Sequence, residues 1–175
     1  MRRIDNIISH TYSKHLVEQI KYIEWYYKDT TAEFTDNDKN QFSFSHNLIS
    51  NNVRSQHSDI FTPLILECIS KCDLDLENYY IYRVRLGLIP KLPKKVIHPK
   101  HTDFDVFPEA DGNKVILYYV NDSDGDTYFY EGDNVITNKY KKNSLVLFDG
   151  TILHSSSSPV NHNIRVAMNI NLFRK

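Results

Sequence analysis

The sequence predicts an α+β jelly-roll protein in which helices pack on one sheet of antiparallel strands. Helical periodicity is confined to the first part of the chain, β-rich alternating segments follow from Tyr79 onward, and Asp- and Gly-containing turns separate those segments. The chain has 175 residues, of which 41% are hydrophobic, so it is long enough to bury one core. We predict a single domain over 1–175, with a helical part over 1–78 and a strand-rich part over 79–175.

Two segments of the first part have the apolar spacing of amphipathic helices. Residues 13–29 carry apolar side chains near the helical period, and Ser13 is a suitable cap for that helix. Residues 58–72 predict a second helix with Pro63 in its first turns, where proline is best tolerated. The polar, Asn-rich stretch 30–56 between them is predicted to be mostly loop.

The second part predicts a series of short strands. Residues 79–89 alternate and are rich in β formers, whereas residues 90–100 hold three prolines and are predicted to form a loop. The further strand candidates are NKVILYYVND (113–122), DTYFYEG (126–132), NSLVLFDG (143–150) and RVAMNINLF (165–173). Many short strands at this spacing are typical of an antiparallel sandwich or barrel, which the helices would cover from outside.

Charge and cysteine content exclude several function classes. The formal net charge of −1 offers no basic field for nucleic acid, and no stretch approaches the ~18 apolar residues of a membrane span. No apolar run near the N-terminus has the form of a signal peptide, so we expect a cytoplasmic protein. Cys68 and Cys72 have no second pair to complete a zinc site, and we expect two reduced thiols.

The stretch HTD, together with a later histidine, is a candidate metal site. His101 and Asp103 would point to the same side of a strand, and His154 follows fifty-one residues after Asp103. Two histidines and one carboxylate form a facial triad, which suits iron(II) because it leaves coordination positions open. An HxD pair alone is weak support for a metal site, since isolated histidines commonly make ordinary surface or core hydrogen bonds.

Arg165 adds a second feature on the final predicted strand. It shares one face of that strand with Ala167, Asn169 and Asn171. An arginine that points inward needs an anionic partner, and a carboxylate held by parallel hydrogen bonds is the natural one. The alternatives are an edge arginine in water and a structural pair with a local aspartate.

HTD at 101–103, His154 and Arg165 resemble the signature of the 2-oxoglutarate- and iron(II)-dependent dioxygenases, in particular the prolyl-4-hydroxylase-like branch. The stretches 118–132 and 145–159 resemble the short bacterial and bacteriophage enzymes of this type. The resemblance spans about residues 79–173 and implies a double-stranded β-helix with the metal at the mouth of its barrel.

Position by position, the resemblance implies that His101, Asp103 and His154 bind Fe(II). It implies that Arg165 holds the far carboxylate of the cosubstrate 2-oxoglutarate, with Tyr119 hydrogen-bonding the same group; a one-residue slip would exchange Tyr119 for Tyr118. With dioxygen as the second cosubstrate, the expected reaction is hydroxylation of a C–H bond. The expected substrate is a peptidyl proline or another amino acid, and a bacteriophage protein of this type would act in the host cytoplasm.

Several flanking residues lie outside this motif. We predict that His98 lies at the rim without binding metal, and that His162 is an ordinary turn residue. Either Tyr82 or Arg85 should face into the barrel, and the loop 90–100 and the segment 103–113 would gate its mouth or form plain surface connections. Two other functions remain open: a cupin-like metal enzyme that does not use 2-oxoglutarate, and a non-catalytic jelly-roll module for binding or structure.

Overall fold

The structure is a computed structural model that describes residues 1–31, 41–104 and 112–175. Its helices are α1 (His10–Gln19) and α2 (Ser58–Lys71). Its strands are β1 (Arg2–Asp5), β2 (Tyr26–Lys28), β3 (Ser43–Ser50), β4 (Val53–Arg54), β5 (Tyr79–Pro90), β6 (Lys114–Tyr119), β7 (Thr127–Glu131), β8 (Asn134–Asn138), β9 (Ser144–Asp149), β10 (His154–Ser156) and β11 (Ile164–Arg174). Within the described ranges, no helix is both long enough and apolar enough to cross a membrane.

The strands form two sheets. The larger sheet has the order β1-β9-β6-β11-β5-β3-β2, with β4 paired to β3, and the smaller one has the order β10-β7-β8. All strand pairs are antiparallel. Two isolated antiparallel bridges, from Ile97 to Ser157 and from His101 to His154, attach the segment that leads into the HTD motif to the smaller sheet. The predicted α+β jelly roll with helices on one sheet is confirmed.

Two apolar layers lie on opposite faces of the larger sheet, because side chains alternate along each strand. The outer layer joins the sheet to both helices, for example through Leu16, Phe61 and Tyr118. The inner layer fills the barrel between the two sheets, for example with Tyr119 and Phe129. Alternation therefore separates the two neighbouring tyrosines: Tyr118 faces the helices and Tyr119 faces the barrel interior.

The helices partly follow the predictions. α2 is confirmed over almost its whole predicted length. α1 begins earlier, because the Ser9 hydroxyl accepts a hydrogen bond from the Tyr12 backbone N–H and caps the helix. It also ends at Gln19, so the prediction of helix up to residue 29 is wrong; residues 26–28 are strand β2. The buried Ser13 lies inside α1 and does not cap it.

The N-terminal part contributes strands as well as helices. β1 pairs with β9, and β3 pairs with β5, so residues before Tyr79 extend the larger sheet at both edges. The prediction that residues 30–56 are mostly loop is wrong over β3, which contains eight residues. The one asparagine and three serines of this strand concealed it, because β propensity depends on how a side chain packs against its neighbours.

A bulge in β5 changes which of its side chains face the barrel. Asn171 of β11 lies opposite Arg83, but the next residue of β11 lies opposite Ile81, which leaves Tyr82 as the extra residue. Tyr82 therefore joins the inner layer, and Arg85 lines the cavity within the barrel. The prediction that only one of Tyr82 and Arg85 faces inward assumed regular alternation and is wrong.

Candidate metal and cosubstrate site

The chain brings His101, Asp103 and His154 together. His101 and His154 exchange two backbone N–H···O hydrogen bonds of 2.9 Å, which fix the HTD segment against the first residue of β10. One potential ligand atom from each of the three side chains lies within 4.8 Å of the others. The three are the only His, Cys, Asp or Glu side chains in the described part of the chain that form such a group.

Backbone carbonyl groups orient both imidazoles for metal binding. His154 Nδ1 lies 3.0 Å from the Ile152 carbonyl oxygen, and His101 Nδ1 lies 3.3 Å from the Pro99 carbonyl oxygen. A carbonyl oxygen only accepts hydrogen bonds, so Nδ1 carries a proton in each ring, which leaves Nε2 as the nitrogen available to a metal. This is the tautomer that an Nε2-coordinated metal requires.

The Asp103 carboxylate is almost fully buried, with 2% of its side chain exposed. The Asn169 amide donates to both of its oxygens at 3.2 and 3.0 Å, and His154 Nε2 lies 3.8 Å from Oδ2. Burial raises the pKa of Asp103, but the neighbouring His154 and His101 and the amide of Asn169 together hold that pKa below its ordinary value. The carboxylate is therefore kept ionised and ready to bind a cation.

Arg165 of β11 is buried, with 5% exposure, and has no carboxylate partner among residues 1–31, 41–104 and 112–175. Its Nε donates to the Gly125 carbonyl oxygen at 2.9 Å, and its Nη2 donates to Thr127 Oγ1 at 3.1 Å. These neutral acceptors orient the guanidinium without neutralising its charge. A buried guanidinium that contacts only neutral acceptors needs an anionic ligand to offset the cost of its desolvation.

Gly125 permits this placement of Arg165. A Cβ atom at Gly125 would lie 2.5 Å from the Ser157 carbonyl oxygen and 2.7 Å from Cδ of Arg165. Both distances are shorter than a van der Waals contact, so a side chain at this position would displace Arg165 or the backbone at Ser157.

Thr127 links Arg165 to Tyr119. The Tyr119 hydroxyl donates to Thr127 Oγ1 at 2.8 Å and accepts from the Asn138 amide at 2.7 Å. Thr127 Oγ1 thus accepts from both Tyr119 and Arg165, which leaves its own hydroxyl proton to donate into the cavity. Thr127 lines that cavity, and the Tyr119 hydroxyl lies behind it. Nothing in the sequence distinguished Thr127 beyond its position in a predicted strand.

One cavity of about 110 Å³ connects the candidate metal ligands to Arg165. Its inner end is lined by Leu117, Thr127, Arg165 and Ala167, and the two ligand histidines lie beside Asn169. Its outer wall is formed by residues of β2, β3 and β5 and by the segment that follows β2; these residues include Lys28, Thr30, Thr31, Ser43, Ser45 and Arg85. The geometry therefore provides a metal site, an anion site next to it, and space beyond both.

His98 and His162 lie outside the three-residue group. The prediction that His98 is at the rim is wrong: only 4% of it is exposed, and its Nδ1 lies 2.8 Å from Ser156 Oγ. Burial, with the nearby Arg165 and His101, lowers the pKa of His98 to about 3, so it stays neutral. His162 lies 3.1 Å from Asp124 in a turn, as an ordinary turn histidine would. Most of the proposed gate, residues 105–111, lies outside the described residues.

The fold can be compared with solved structures. A 2OG-Fe(II) oxygenase family oxidoreductase from Burkholderia pseudomallei has a TM-score of 0.72 and 10% identity, covering 98% of this chain and 83% of that one. A Trichoplax adhaerens prolyl hydroxylase bound to a hypoxia inducible factor peptide has a TM-score of 0.65 and 18% identity, over 98% and 82% of the two chains. A Pseudomonas putida prolyl-4-hydroxylase has a TM-score of 0.64 and 13% identity, over 99% and 92%.

These similarities define the fold class. The chain has the double-stranded β-helix fold of the 2-oxoglutarate- and iron(II)-dependent oxygenases, and prolyl hydroxylases are among the structures that share it. The fold that the sequence motifs implied is therefore confirmed. No family model matches the sequence. No curated protein matches it by sequence either.

Proposed function

We propose that this protein is a 2-oxoglutarate- and Fe(II)-dependent dioxygenase that hydroxylates a C–H bond of a peptidyl proline or another amino-acid substrate. The reaction consumes dioxygen and 2-oxoglutarate. One oxygen atom enters the substrate C–H bond, and the other enters succinate as carbon dioxide leaves. We further propose that the chain is one domain, with residues 79–175 as its catalytic core, and that it works in the cytoplasm.

The observation that carries this proposal is the position of Arg165. A buried guanidinium without a carboxylate partner, within the ranges that the structure describes, lines the same cavity as His101 and His154. A metal site alone would fit many enzymes. The adjacent cationic site selects a ligand that chelates the metal at one end and carries a carboxylate at the other, which is the form of 2-oxoglutarate.

Each group has a separate task. Nε2 of His101, Nε2 of His154 and a carboxylate oxygen of Asp103 would hold the metal, and this donor set suits Fe(II). Bound iron would supply the activation of dioxygen. Arg165 would pair with the far carboxylate of 2-oxoglutarate, and Thr127 would donate its hydroxyl proton to the same group.

Tyr119 supports that carboxylate site from behind. Its hydroxyl holds Thr127 Oγ1 in place, and its ring lies 5.9 Å from the Arg165 guanidinium carbon. Burial raises the pKa of Tyr119, although the positive charge of Arg165 opposes the shift, so the phenol keeps its proton. We propose that Tyr119 contributes to 2-oxoglutarate binding by this route.

The apolar inner layer shields the site. Phe148 packs edge-on against the His154 imidazole with ring centroids 4.9 Å apart, and Phe104 follows Asp103 directly in the chain. These rings exclude water from the far side of the metal ligands and strengthen the electrostatic interactions there.

The test is an anaerobic titration of the protein with Fe(II), with and without 2-oxoglutarate, in which the visible charge-transfer band is followed. A band that requires both components supports the dioxygenase. Iron binding without that band would favour a cupin-like metal enzyme. Binding of neither component would favour a non-catalytic jelly-roll module.

A further inference from the structure

Gly87 lies in the middle of β5, and neither the backbone nor the sheet requires a glycine there. Its φ lies outside the left-handed region in which glycine is favoured. Its pairing with Ala167 on one side and with Ser45 on the other is regular, so it is not the extra residue of a bulge. A glycine in a strand interior weakens the strand, because it has no side chain to pack. The surroundings of Gly87 therefore have to account for it.

Crowding does not account for Gly87 either. Within the described residues, a Cβ atom added to Gly87 would have one neighbour inside 4 Å, the Ala167 carbonyl oxygen at 4.0 Å. The space above Gly87 is thus open, in contrast to the space at Gly125. A strand glycine with neither a backbone reason nor a steric reason is typical of a place where a ligand approaches the backbone closely.

Gly87 is part of the floor of the cavity that contains the candidate metal ligands. Residues directly opposite each other on neighbouring strands point to the same face of a sheet, so Ala167, Gly87 and Ser45 form one row across β11, β5 and β3. All three line the cavity. Tyr119 continues this row on β6, at the end near Thr127. After Tyr119 the row has only small side chains, which leaves a flat floor that leads away from the anion site.

The cosubstrate would cover Ala167 and not Gly87. Ala167 lies between Arg165 and Asn169 on the same face of β11, so a 2-oxoglutarate molecule that joins Arg165 to the metal would pass over it. Adjacent strands lie about 4.8 Å apart, which places Gly87 one strand to the side. Carbon atoms in van der Waals contact are about 4 Å apart. A second ligand therefore has room to lie on Gly87, in contact with the cosubstrate.

We infer that Gly87 determines which substrates this site accepts, because the part of the substrate next to the reacting C–H bond lies directly on the Gly87 backbone. A Cβ atom at this position would occupy the volume of the substrate, whereas the metal ligands and Arg165 would keep their places. Gly87 therefore serves substrate binding and lowers the stability of β5. This inference rests on the proposed function, because it assigns the position of the second ligand in the same cavity.

Gly87→Ala tests whether the fold needs the glycine. Replacement of glycine by alanine at a compatible φ reduces the freedom of the unfolded chain and stabilises the folded state. The urea midpoint of Gly87→Ala should therefore equal or exceed that of the unmodified protein. A lower midpoint would show that the fold itself requires Gly87 and would overturn the inference.

An introduced thiol tests whether the space above Gly87 is open beside the cosubstrate. Both native cysteines, Cys68 and Cys72, are buried and have raised pKa values, so they react slowly. The Gly87→Cys variant is treated with iodoacetamide, and the mass gain of the intact protein is followed with and without saturating Mn(II) and 2-oxoglutarate. Lys14→Cys, at an exposed position of α1, is the control.

The thiol of Gly87→Cys should react within about tenfold of the control rate, and Mn(II) with 2-oxoglutarate should change its rate less than about twofold, since thiol reactivity follows exposure. Failure to react would show that position 87 is covered. Strong protection by 2-oxoglutarate, or loss of 2-oxoglutarate binding in calorimetry, would place Gly87 in the cosubstrate site. Each of these results overturns the inference.

Substrate binding is measured on the protein loaded with Fe(II) and 2-oxoglutarate in the absence of oxygen. The probes are the twenty L-amino acids, each free and as the N-acetyl N-methylamide that imitates a peptide residue. We expect at least one probe to perturb the charge-transfer band of the unmodified protein. Its affinity should fall about tenfold in Gly87→Ala and about 100-fold in Gly87→Leu, because the added carbon atoms displace it. Val135→Leu, at an exposed position of β8, is the matched control and should leave the affinity unchanged.

The outcomes separate the two proposals. Absence of the charge-transfer band from the unmodified protein would overturn the dioxygenase proposal together with the inference about Gly87. With the band present, the dioxygenase proposal stands, and the inference is overturned if no probe binds. It is also overturned if a probe that binds has the same affinity for the unmodified protein and for Gly87→Leu.

Discussion

At the scale of single residues, the three candidate ligands depend on neighbours that do not bind metal. The Asn169 amide nitrogen donates to both oxygens of Asp103, and backbone carbonyl groups set the tautomers of His101 and His154. The sequence placed Asn169 on the same face of the final strand as Arg165 but did not indicate its partner. Its observed partner is Asp103, which only the folded structure brings beside it.

Substitution of the candidate ligands should remove the activity. His101→Ala or Asp103→Ala should abolish succinate formation from 2-oxoglutarate, because two ligands cannot hold the metal in a facial arrangement. Succinate release and Fe(II) affinity are the measurements. His162→Ala, which changes a histidine in a distant turn, is the control. Undiminished turnover by Asp103→Ala would show that the ligand assignment is wrong.

Asn169→Ala should weaken metal binding without abolishing it. Removing a partner that orients a ligand costs about 10- to 100-fold in metal affinity. Equilibrium binding of Fe(II), or of Mn(II) as a redox-stable substitute, measures this without any substrate. Asn47→Ala, at an exposed position of β3, is the control. Equal affinities in Asn169→Ala and the unmodified protein would remove Asn169 from the metal site.

Arg165→Gln should act on the cosubstrate and not on the metal. Loss of a charge-assisted pair should raise the 2-oxoglutarate concentration needed for half-maximal turnover by about 10- to 100-fold. Fe(II) affinity in the absence of 2-oxoglutarate should stay the same. If the 2-oxoglutarate requirement is unchanged, the cupin-like alternative gains support over the dioxygenase.

At the scale of secondary-structure elements, local pattern predicted the buried strands best. β5, β6, β7, β9 and β11 were all found, because their apolar alternation is imposed by two packed faces. β3 was missed because its sequence is polar and its partner β5 follows only after helix α2, whereas β8 was missed although it pairs with β7, which directly precedes it. The end of α1 was also missed, because aromatic residues near position 25 continue a helical period into what is strand β2.

Gly125→Ala tests the connection between a turn and the anion site. The added Cβ would clash with the Ser157 carbonyl group and with Arg165, and such overpacking typically costs about 1–3 kcal/mol. We expect lower stability in urea denaturation and a raised 2-oxoglutarate requirement. Gly87→Ala is the stability control, because the nearest atom to its new Cβ would be 4.0 Å away. Equal stability of the two variants would contradict the clash.

The Asp124 carboxylate stabilises the turn at residues 160–162, and the size of this stabilisation depends on pH. Burial raises its pKa, but hydrogen bonds from His162 and from the backbone of Asn161 and Val160 outweigh burial and lower that pKa to about 2. A lowered carboxyl pKa stabilises the fold above the ordinary value near 4, and this stabilisation is lost as the pH falls toward 2.

Asp124→Asn should therefore lower the urea midpoint at pH 7. The difference from the unmodified protein should shrink between pH 4 and pH 2. Asp122→Asn, at an exposed position nearby, is the matched control and should change the midpoint little at either pH. A difference that is constant across this range would exclude the ionised carboxylate as the cause.

At the scale of the whole molecule, the sequence predicts which residues form the site but not how those residues are arranged in space. The order of HTD, His154 and Arg165 along the chain was sufficient to propose metal and cosubstrate binding. The outer wall was not predictable, because it comes from β2 and β3, which belong to the part read as helix and loop. Lys28 and Arg85 are far apart in sequence and line the same cavity only because β3 pairs with both β2 and β5.

The extra residue at Tyr82 has a consequence for comparing this chain with distant homologues. Because one additional amino acid is accommodated there without changing the pairing on either side, a homologue with a regular strand would be one residue shorter at that point. An ungapped alignment would then assign helix-facing residues to barrel-facing positions throughout one half of the strand. Alignments should therefore be anchored separately on Arg85 and on Ile81.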